Sequence, residues 1–78
     1  MNVSLFVKDL LAPDEFGDCD FDGYDAMVYL VDFYKKGEIS YRQLKLGAKI
    51  AGVQIDPKFD KLTDKERKAM LLKSNKNQ

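Results

Sequence analysis

Residues with the types and spacing to bind a metal occupy one stretch of this chain of 78 residues, the segment 18–29 with the sequence DCDFDGYDAMVY. Carboxylates stand at alternate positions, at Asp18, Asp20 and Asp22, and Gly23 follows them directly. Oxygen ligands at this spacing, with a glycine that allows a sharp turn, are what a calcium-binding loop requires. Two interpretations follow, a calcium site or the start of a helix.

The second half of the segment lacks the ligands that complete an EF-hand loop. Such a loop needs oxygen ligands at its positions 9 and 12, the last of them a bidentate carboxylate. In this chain Ala26 and Tyr29 occupy these two positions. The alternative is a capping box, in which Asp22 caps a helix and Asp25 binds back to it, since negative charge is favoured at a helix N-terminus. We therefore expect a helix start here, with no metal and no other cofactor.

The segment 13–22 holds more acidic residues than a cap requires and contains no lysine or arginine. Concentrated charge of one sign produces a field that speeds the encounter with an oppositely charged surface. We therefore predict a protein-binding regulator, an inhibitor or adaptor, whose acidic loop contacts a partner protein with a basic surface through Asp14, Glu15, Asp18 and Asp20. The loop also contains Phe16 and Phe21, which could anchor a partner contact or belong to the core. We favour the core for both, because a small domain needs its aromatics inside.

The chain offers no activated nucleophile. It contains no histidine to act as a general base, and its single cysteine, Cys19, lies among carboxylates that disfavour the reactive thiolate. No glycine-rich phosphate loop and no zinc-ligand spacing is present in the sequence. We expect a protein that is not an enzyme.

The net charge of zero hides a division of charge between the two halves of the chain. Residues 1–34 hold one basic and eight acidic residues, whereas residues 35–78 hold twelve basic and five acidic residues. The halves could fold against each other and neutralise part of this charge, or they could present two surfaces to two partners. A third interpretation concerns the basic stripe of the third predicted helix, which consists of Arg42, Lys45 and Lys49. This stripe could be only a solvated helix face.

The segment 44–62, LKLGAKIAGVQIDPKFDKL, resembles a helix-turn-helix, because Ala48 lies four residues before Gly52 and Val53 follows it. The match fails at Gly47, where that motif has a large apolar residue. The resemblance implies DNA binding as an alternative function, and the residues that we assign to it are Arg42, Lys45, Lys49, Lys58 and Lys61.

Lys58 and Lys61 would occupy core positions of that motif unless its turn is one residue longer, which brings in Phe59 and Leu62 instead. In this longer frame Lys58 and Lys61 would face phosphates, together with Lys65, Arg67 and Lys68. The isoelectric point near 6.2 and the acidic first half argue against unaided binding to a polyanion. Nucleic acid is therefore the second choice of partner.

Apolar periodicity and capping signals predict helices over most of the chain. Ser40 and Gln43 have the spacing of a capping box, and Thr63 and Glu66 repeat it. The predicted fold is all-α, a single helical domain over residues 1–74. It is a small bundle of three to four short helices at about 3–12, 23–36, 41–51 and 64–74, with a frayed tail at 75–78.

The second predicted helix is the most apolar and is expected to be central. Its apolar stripe is predicted to consist of Tyr24, Met27, Val28, Val31 and Tyr34, and Leu30 and Phe33 widen it. We expect it to pack antiparallel against the third helix through Leu30, Phe33, Leu44 and Ala48. Gly47 would allow a neighbouring helix to approach closely. Asp56 followed by Pro57 predicts a further short helical turn.

Nothing in the sequence directs the chain to a membrane or to secretion. The segment MNVSLFVKDLLA at its start lacks the basic region of a signal peptide, and the longest apolar run, 26–31, is far shorter than the roughly 20 residues that span a bilayer. We expect a cytoplasmic protein without membrane contact. Its size and composition are typical of phage-encoded accessory proteins.

Overall fold

The computed structural model describes the backbone of residues 1–76 and the side chains of residues 1–71. Four α-helices and one 3-10 helix make up this part of the chain, and it contains no strand. The elements are α1 (Val3–Leu11), α2 (Gly23–Lys35), α3 (Tyr41–Ala51), a 3-10 helix (Pro57–Lys61) and α4 (Asp64–Lys76). The prediction of a small all-α bundle is confirmed. α4 includes the first two residues of the predicted frayed tail, and the other two, 77 and 78, lie outside the described residues.

Local capping explains where α2 and α3 begin. The Asp22 carboxylate accepts a hydrogen bond from the Asp25 N–H at 3.0 Å, and the Asp25 carboxylate accepts one from the Asp22 N–H at 3.0 Å. Ser40 and Gln43 form the same reciprocal pair before α3. Each box satisfies backbone N–H groups that a helix start leaves without partners, so both predicted capping boxes are confirmed.

The remaining helix starts also follow the predicted signals. Asp56 accepts a hydrogen bond from the Lys58 N–H, and Pro57 opens the 3-10 helix. Before α4, the Thr63 hydroxyl accepts from the Glu66 N–H at 3.2 Å, and the Glu66 carboxylate accepts from the Thr63 N–H at 3.0 Å. The second of these bonds lowers the pKa of Glu66.

α2 and α3 form the predicted antiparallel pair. The start of α2 at Gly23 lies against the carbonyl of Ala51 at the end of α3. At the other end of the pair, the rings of Tyr34 and Tyr41 are 6.1 Å apart. Chain directions are therefore opposite, and the short connection of residues 36–40 is sufficient to join the helices.

The core lies where α1, α2 and α3 meet. Its buried apolar residues are Val3, Val7, Ala26, Leu30, Tyr34, Ile39, Leu44 and Ala48. At their centre, a methyl group added to Gly47 would lie 2.5 Å from Cδ1 of Leu30 and 2.8 Å from Cγ1 of Val3. Gly47 therefore permits the close approach that we predicted, and it does so for two helices rather than one. Phe33 is only partly buried and packs edge-on against Phe6 of α1 at 5.4 Å.

The predicted apolar stripe of α2 is buried only in part: Tyr34 and Leu30 belong to the core and Met27 and Val31 pack against it, but one side of the stripe is exposed. Tyr24 is 74% exposed and Val28 is 70% exposed, whereas Ala26 and Leu30 are fully buried. The buried face is rotated from the predicted stripe by about a quarter turn at 100° per residue. α2 carries apolar residues around most of its circumference, so periodicity alone could not select the buried side. Within residues 1–76, no helix combines the length and the apolarity needed to cross a membrane.

Candidate functional site

The acidic loop, defined here as residues 13–22, joins α1 to α2 and is exposed at every position. Backbone hydrogen bonds nevertheless fold its first half into a turn. The Gly17 N–H donates to the Asp14 carbonyl at 3.0 Å, and the Asp14 N–H donates to the Asp18 carbonyl at 2.8 Å. Gly17 has a positive φ of 83°, a conformation that glycine adopts without the steric cost of a side chain.

The Asp14 side chain completes this turn. Its Oδ1 atom accepts hydrogen bonds from the Phe16 N–H at 2.8 Å and from the Asp18 N–H at 3.0 Å. An aspartate that binds backbone N–H groups just after it in sequence is a recurrent way to fix a turn without burial. Residues 14–18 are therefore held in shape by four hydrogen bonds although all of them face solvent.

Phe16 lies at the tip of the turn with 81% of its surface exposed. Our expectation that Phe16 belongs to the core is therefore wrong. Its N–H is bound to Asp14 and the next residue is the positive-φ Gly17, so the backbone directs its ring away from the helices. A sequence signal for this turn exists, because aspartate at the first and glycine at the fourth position of DEFG are favoured in β-turns.

Phe21, at the other end of the loop, has a different position. It is 37% exposed, and its ring packs edge-on against Tyr29 of α2 at 6.2 Å between centroids. Tyr29 in turn meets Phe6 of α1 at 6.1 Å. This row of aromatic rings attaches the end of the loop to the helices, so Phe21 is neither a core residue nor a free anchor.

The four predicted acidic residues are all exposed on the acidic loop, but their roles differ. Asp14 fixes the turn, as described above. Glu15, Asp18 and Asp20 are exposed and take part in none of the ion pairs found among the described residues. Asp22 is occupied with the cap of α2. In the described part of the chain, no group of three or more Asp, Glu, Cys or His side chains is arranged to hold a metal ion.

The basic residues assigned to DNA binding lie on α3 and on the 3-10 helix. Arg42, Lys45 and Lys49 are exposed on α3, but the Lys45 amine is bound to the Asp60 carboxylate at 3.1 Å. Lys58 lies 3.8 Å from the Asp56 carboxylate. Lys61 is exposed.

The segment after α3 does not form the second helix of a helix-turn-helix. Residues 57–61 are a 3-10 helix of five residues, and the next α-helix begins only at Asp64. A helix-turn-helix joins its two α-helices by a turn of 3–4 residues. The arrangement that the sequence resembles is therefore not formed within residues 1–76.

Sequence reasoning also missed a polar cluster that consists of Tyr34, Tyr41, Asp60, Asp64 and Arg67. Arg67, which we placed against phosphates, is only 9% exposed, and its guanidinium lies 3.6 Å from the centroid of the Tyr41 ring. Its Nε donates to the Phe59 carbonyl at 2.6 Å, and Nη1 donates to Asp64 at 2.8 Å. These partners come from three separate elements. Only Asp64, three residues before Arg67 on the same helix, could be connected to it from the local sequence.

The two tyrosine hydroxyls complete the polar cluster. Tyr34 donates to Asp64 at 2.7 Å, and Tyr41 donates to Asp60 at 2.8 Å. Burial, followed by the bond to Asp60, raises the pKa of Tyr41 to about 12. The hydrogen bond from Tyr34 lowers the pKa of Asp64, and that from Tyr41 lowers the pKa of Asp60. Because every member is paired, the cluster is suited to joining elements rather than to chemistry on a substrate.

A cavity of about 250 Å³ lies beside the polar cluster, between α2, α3 and α4. Its lining is almost entirely apolar and includes Met27, Val31, Leu44, Ile55, Phe59 and Leu71. The hydroxyl protons of Tyr34 and Tyr41, which line it, are donated to carboxylates and are not available to a ligand. Ligand sites combine an apolar lining with a few convergent polar groups, and this cavity shows only the first of these features.

Comparison with known proteins adds no further assignment. The chain matches no protein-family model. Neither the curated proteins nor the solved structures include a significant match to it.

Proposed function

We propose that this chain is a small non-enzymatic protein-binding regulator, an inhibitor or adaptor, that captures its partner with the acidic loop. The observation that carries the proposal is Phe16, a large aromatic side chain that is almost fully exposed on a hydrogen-bonded turn. Aromatic residues, phenylalanine among them, are enriched at the core of protein interfaces, where a few buried anchors carry most of the binding energy.

The surroundings of Phe16 support the same function. Glu15, Asp18 and Asp20 flank it in sequence, which gives an apolar anchor with a charged rim. Such a rim speeds the encounter with a basic surface more than it tightens the complex. Because the turn is already ordered, binding would not have to order it again, and this lowers the entropic cost of association. The partner that fits is a protein with an apolar pocket surrounded by lysines or arginines.

The proposal includes a cytoplasmic location and is consistent with a phage-encoded accessory protein, as expected from the sequence. Its test is affinity capture from a host-cell extract with the immobilised chain, followed by quantification of any retained protein. Phe16→Ala should lower the captured amount at least tenfold, since hot-spot truncations cost about 2 kcal/mol or more. The matched control is Leu46→Ala on α3, which removes an apolar side chain that is 47% exposed and should leave capture unchanged.

A charge variant tests the rim separately. Replacing Asp14, Glu15, Asp18 and Asp20 by their amides keeps the acceptor oxygen of each side chain and removes its charge. We expect slower association and weaker dependence on salt, with the helical content unchanged. Reversal of Lys45 and Lys49 to glutamate should have the smaller effect. If the lysine changes abolish capture and the amide changes do not, the acidic loop is not the binding site.

DNA binding is the second candidate function. The observation that favours it is the exposure of Arg42 and Lys49 on one side of α3, where neither takes part in an ion pair found among the described residues. The contact would be made by the face of α3 and not by a helix-turn-helix. A gel-shift on random duplex DNA tests it, because phosphate contacts predict a shift that disappears with added salt and with Arg42→Glu.

A further inference from the structure

One face of α2 remains apolar and uncovered among the described residues. Tyr24 and Val28 are its most exposed members, and Val31 and Lys35 continue the same line toward the end of the helix. The spacing of these four residues is four, three and four, which is the spacing of a seam along which two helices pack. We name this set, Tyr24, Val28, Val31 and Lys35, the α2 seam.

The α2 seam is part of a contiguous apolar surface and not a single exposed apolar residue. A shallow depression along α2 is lined by Tyr24, Met27, Val28 and Val31 together with polar residues at their edges. Contiguous apolar surface of this kind on a small domain is typical of a place where another molecule packs. The opposite side of α2 contacts α1 and α3 through Ala26 and Leu30. Val31 is half-buried and its other side packs against the core, whereas Tyr24 and Val28 are not part of the core.

Charge along α2 indicates which molecule fits. The start of the helix carries Asp22 and Asp25, and its end carries Lys35 and Lys36. Lys36 is already bound to Asp32 at 2.9 Å, whereas Lys35 takes part in none of the ion pairs found within the described residues. α2 is thus negative at its start and positive at its end. Between them the depression is apolar except for Asp32 at its edge, whose charge is paired with Lys36. When two such helices lie antiparallel, the negative end of each lies beside the positive end of the other.

We propose that the α2 seam binds a second copy of this chain, with the two α2 helices antiparallel around a two-fold axis. Val28 of each copy then packs against Val31 of the other, and Lys35 lies over Tyr24 and beside Asp25 of the other copy. A parallel arrangement would instead bring like charges together at both ends of the helix, which is unfavourable. The interaction is independent of the proposed function, because the turn that carries Phe16 lies outside α2.

The test is the mass of the full chain in solution as a function of concentration. Sedimentation equilibrium from about 1 μM to about 1 mM covers the range of small helical interfaces. The mass should rise from the 8.9 kDa of one chain toward twice that value. Val28→Glu places a charge in the seam and should weaken association at least tenfold. Leu46→Glu, at an exposed apolar position on α3, is the matched control and should not.

Disulfide cross-linking tests the direction of the helices and does not depend on the stability of the charged variants. In a Cys19→Ser background, one chain carries Tyr24→Cys and a second carries Lys35→Cys. The antiparallel seam predicts a disulfide between the two different chains in the mixture and little between identical ones. Preferential linkage of identical chains would overturn the antiparallel arrangement. A constant monomer mass, or association that Val28→Glu leaves unchanged, would overturn the proposal itself.

Discussion

The acidic loop and the polar cluster around Arg67 both combine aromatic rings with carboxylates, but they arrange these groups in opposite ways. In the cluster, the aromatic rings of Tyr34 and Tyr41 are turned inward and the carboxylates of Asp60 and Asp64 are paired. In the loop, Phe16 points outward, and its neighbouring acids take part in no ion pair among the described residues. Paired groups stabilise the fold but have little left to offer a partner, whereas unpaired groups contribute little to stability and remain available for binding.

The largest expected effect is the loss of stability when the cluster is opened at Arg67. Arg67→Met keeps part of the aliphatic side chain but removes the bonds to Phe59 and Asp64, so the free energy of unfolding should fall by about 2 kcal/mol. Urea denaturation measures this change. The matched control is Arg42→Met on the exposed side of α3, which should stay within about 0.5 kcal/mol of the parent. Equal effects of the two substitutions would show that the cluster does not hold α4 in place.

The next effect concerns the turn, where Asp14 connects shape with binding. Asp14→Ala removes the acceptor of the Phe16 and Asp18 N–H groups, and we expect partner capture to weaken roughly fivefold, the equivalent of about 1 kcal/mol. Asp14→Asn is the control, because it removes the charge and keeps the acceptor oxygen. Titration of the captured partner with each variant measures the affinity, and the comparison distinguishes the loss of the turn from the loss of the charge. If the asparagine variant binds as weakly as the alanine variant, Asp14 acts through its charge and not through the turn.

A smaller effect on folding stability is expected at acidic pH. The pKa values of Asp60 and Asp64 are lower in the folded protein than in the unfolded chain because tyrosine hydroxyls donate to both carboxylates. This contribution to stability is therefore present above the unfolded pKa of about 4 and is lost as the pH falls through the folded values. Melting temperatures recorded between about pH 7 and about pH 2 should show this decline.

Two double variants test the origin of the acid effect. Asp60→Asn with Asp64→Asn should make the decline shallower, and so should Tyr34→Phe with Tyr41→Phe. Glu66, whose pKa is also lowered, accounts for part of the remaining decline. An unchanged acid dependence in both double variants would contradict the assignment to the cluster.

The smallest expected effect on stability is that of Phe16→Ala. Because the ring is exposed, its removal should change the free energy of unfolding by less than about 0.5 kcal/mol. Leu30→Ala, in the same urea assay, should cost about 2–5 kcal/mol and shows that the assay is sensitive to core packing. A loss of more than about 1 kcal/mol for Phe16→Ala would mean that the ring packs on the helices in solution.

The helix starts could be predicted from the sequence because their causes are local. Ser40 and Gln43 satisfy each other's backbone N–H groups within one turn, so the pattern alone contains the interaction. The side of α2 that is buried could not be predicted in this way. Ala26 is buried and Val28 exposed because α1 and α3 pack on the side of α2 that carries Leu30, and this contact involves residues far away in sequence.

The candidate site could be predicted as a charged loop but not as an anchor. Counting acids identified segment 13–22, whereas the exposure of Phe16 follows from the turn that Asp14 and Gly17 close. Composition argues for burial of any phenylalanine in a small domain, and here the local backbone overrides that tendency. Arg67 shows the reverse case, since a basic residue that suggested phosphate contacts is enclosed by Tyr41 and by the Phe59 carbonyl.

The convergence of three helices on Gly47 divides the molecule into parts that open at different free energies. α1 and α2 both reach Gly47 of α3, so these helices must separate together. Between Asp64 and Leu71 of α4, Arg67 is the only buried residue. Amide hydrogens in this part of α4 should therefore exchange through a partial opening that costs less than global unfolding, while those of α2 and α3 exchange only when the whole domain unfolds. Each such opening would briefly expose the apolar lining of the neighbouring cavity to water.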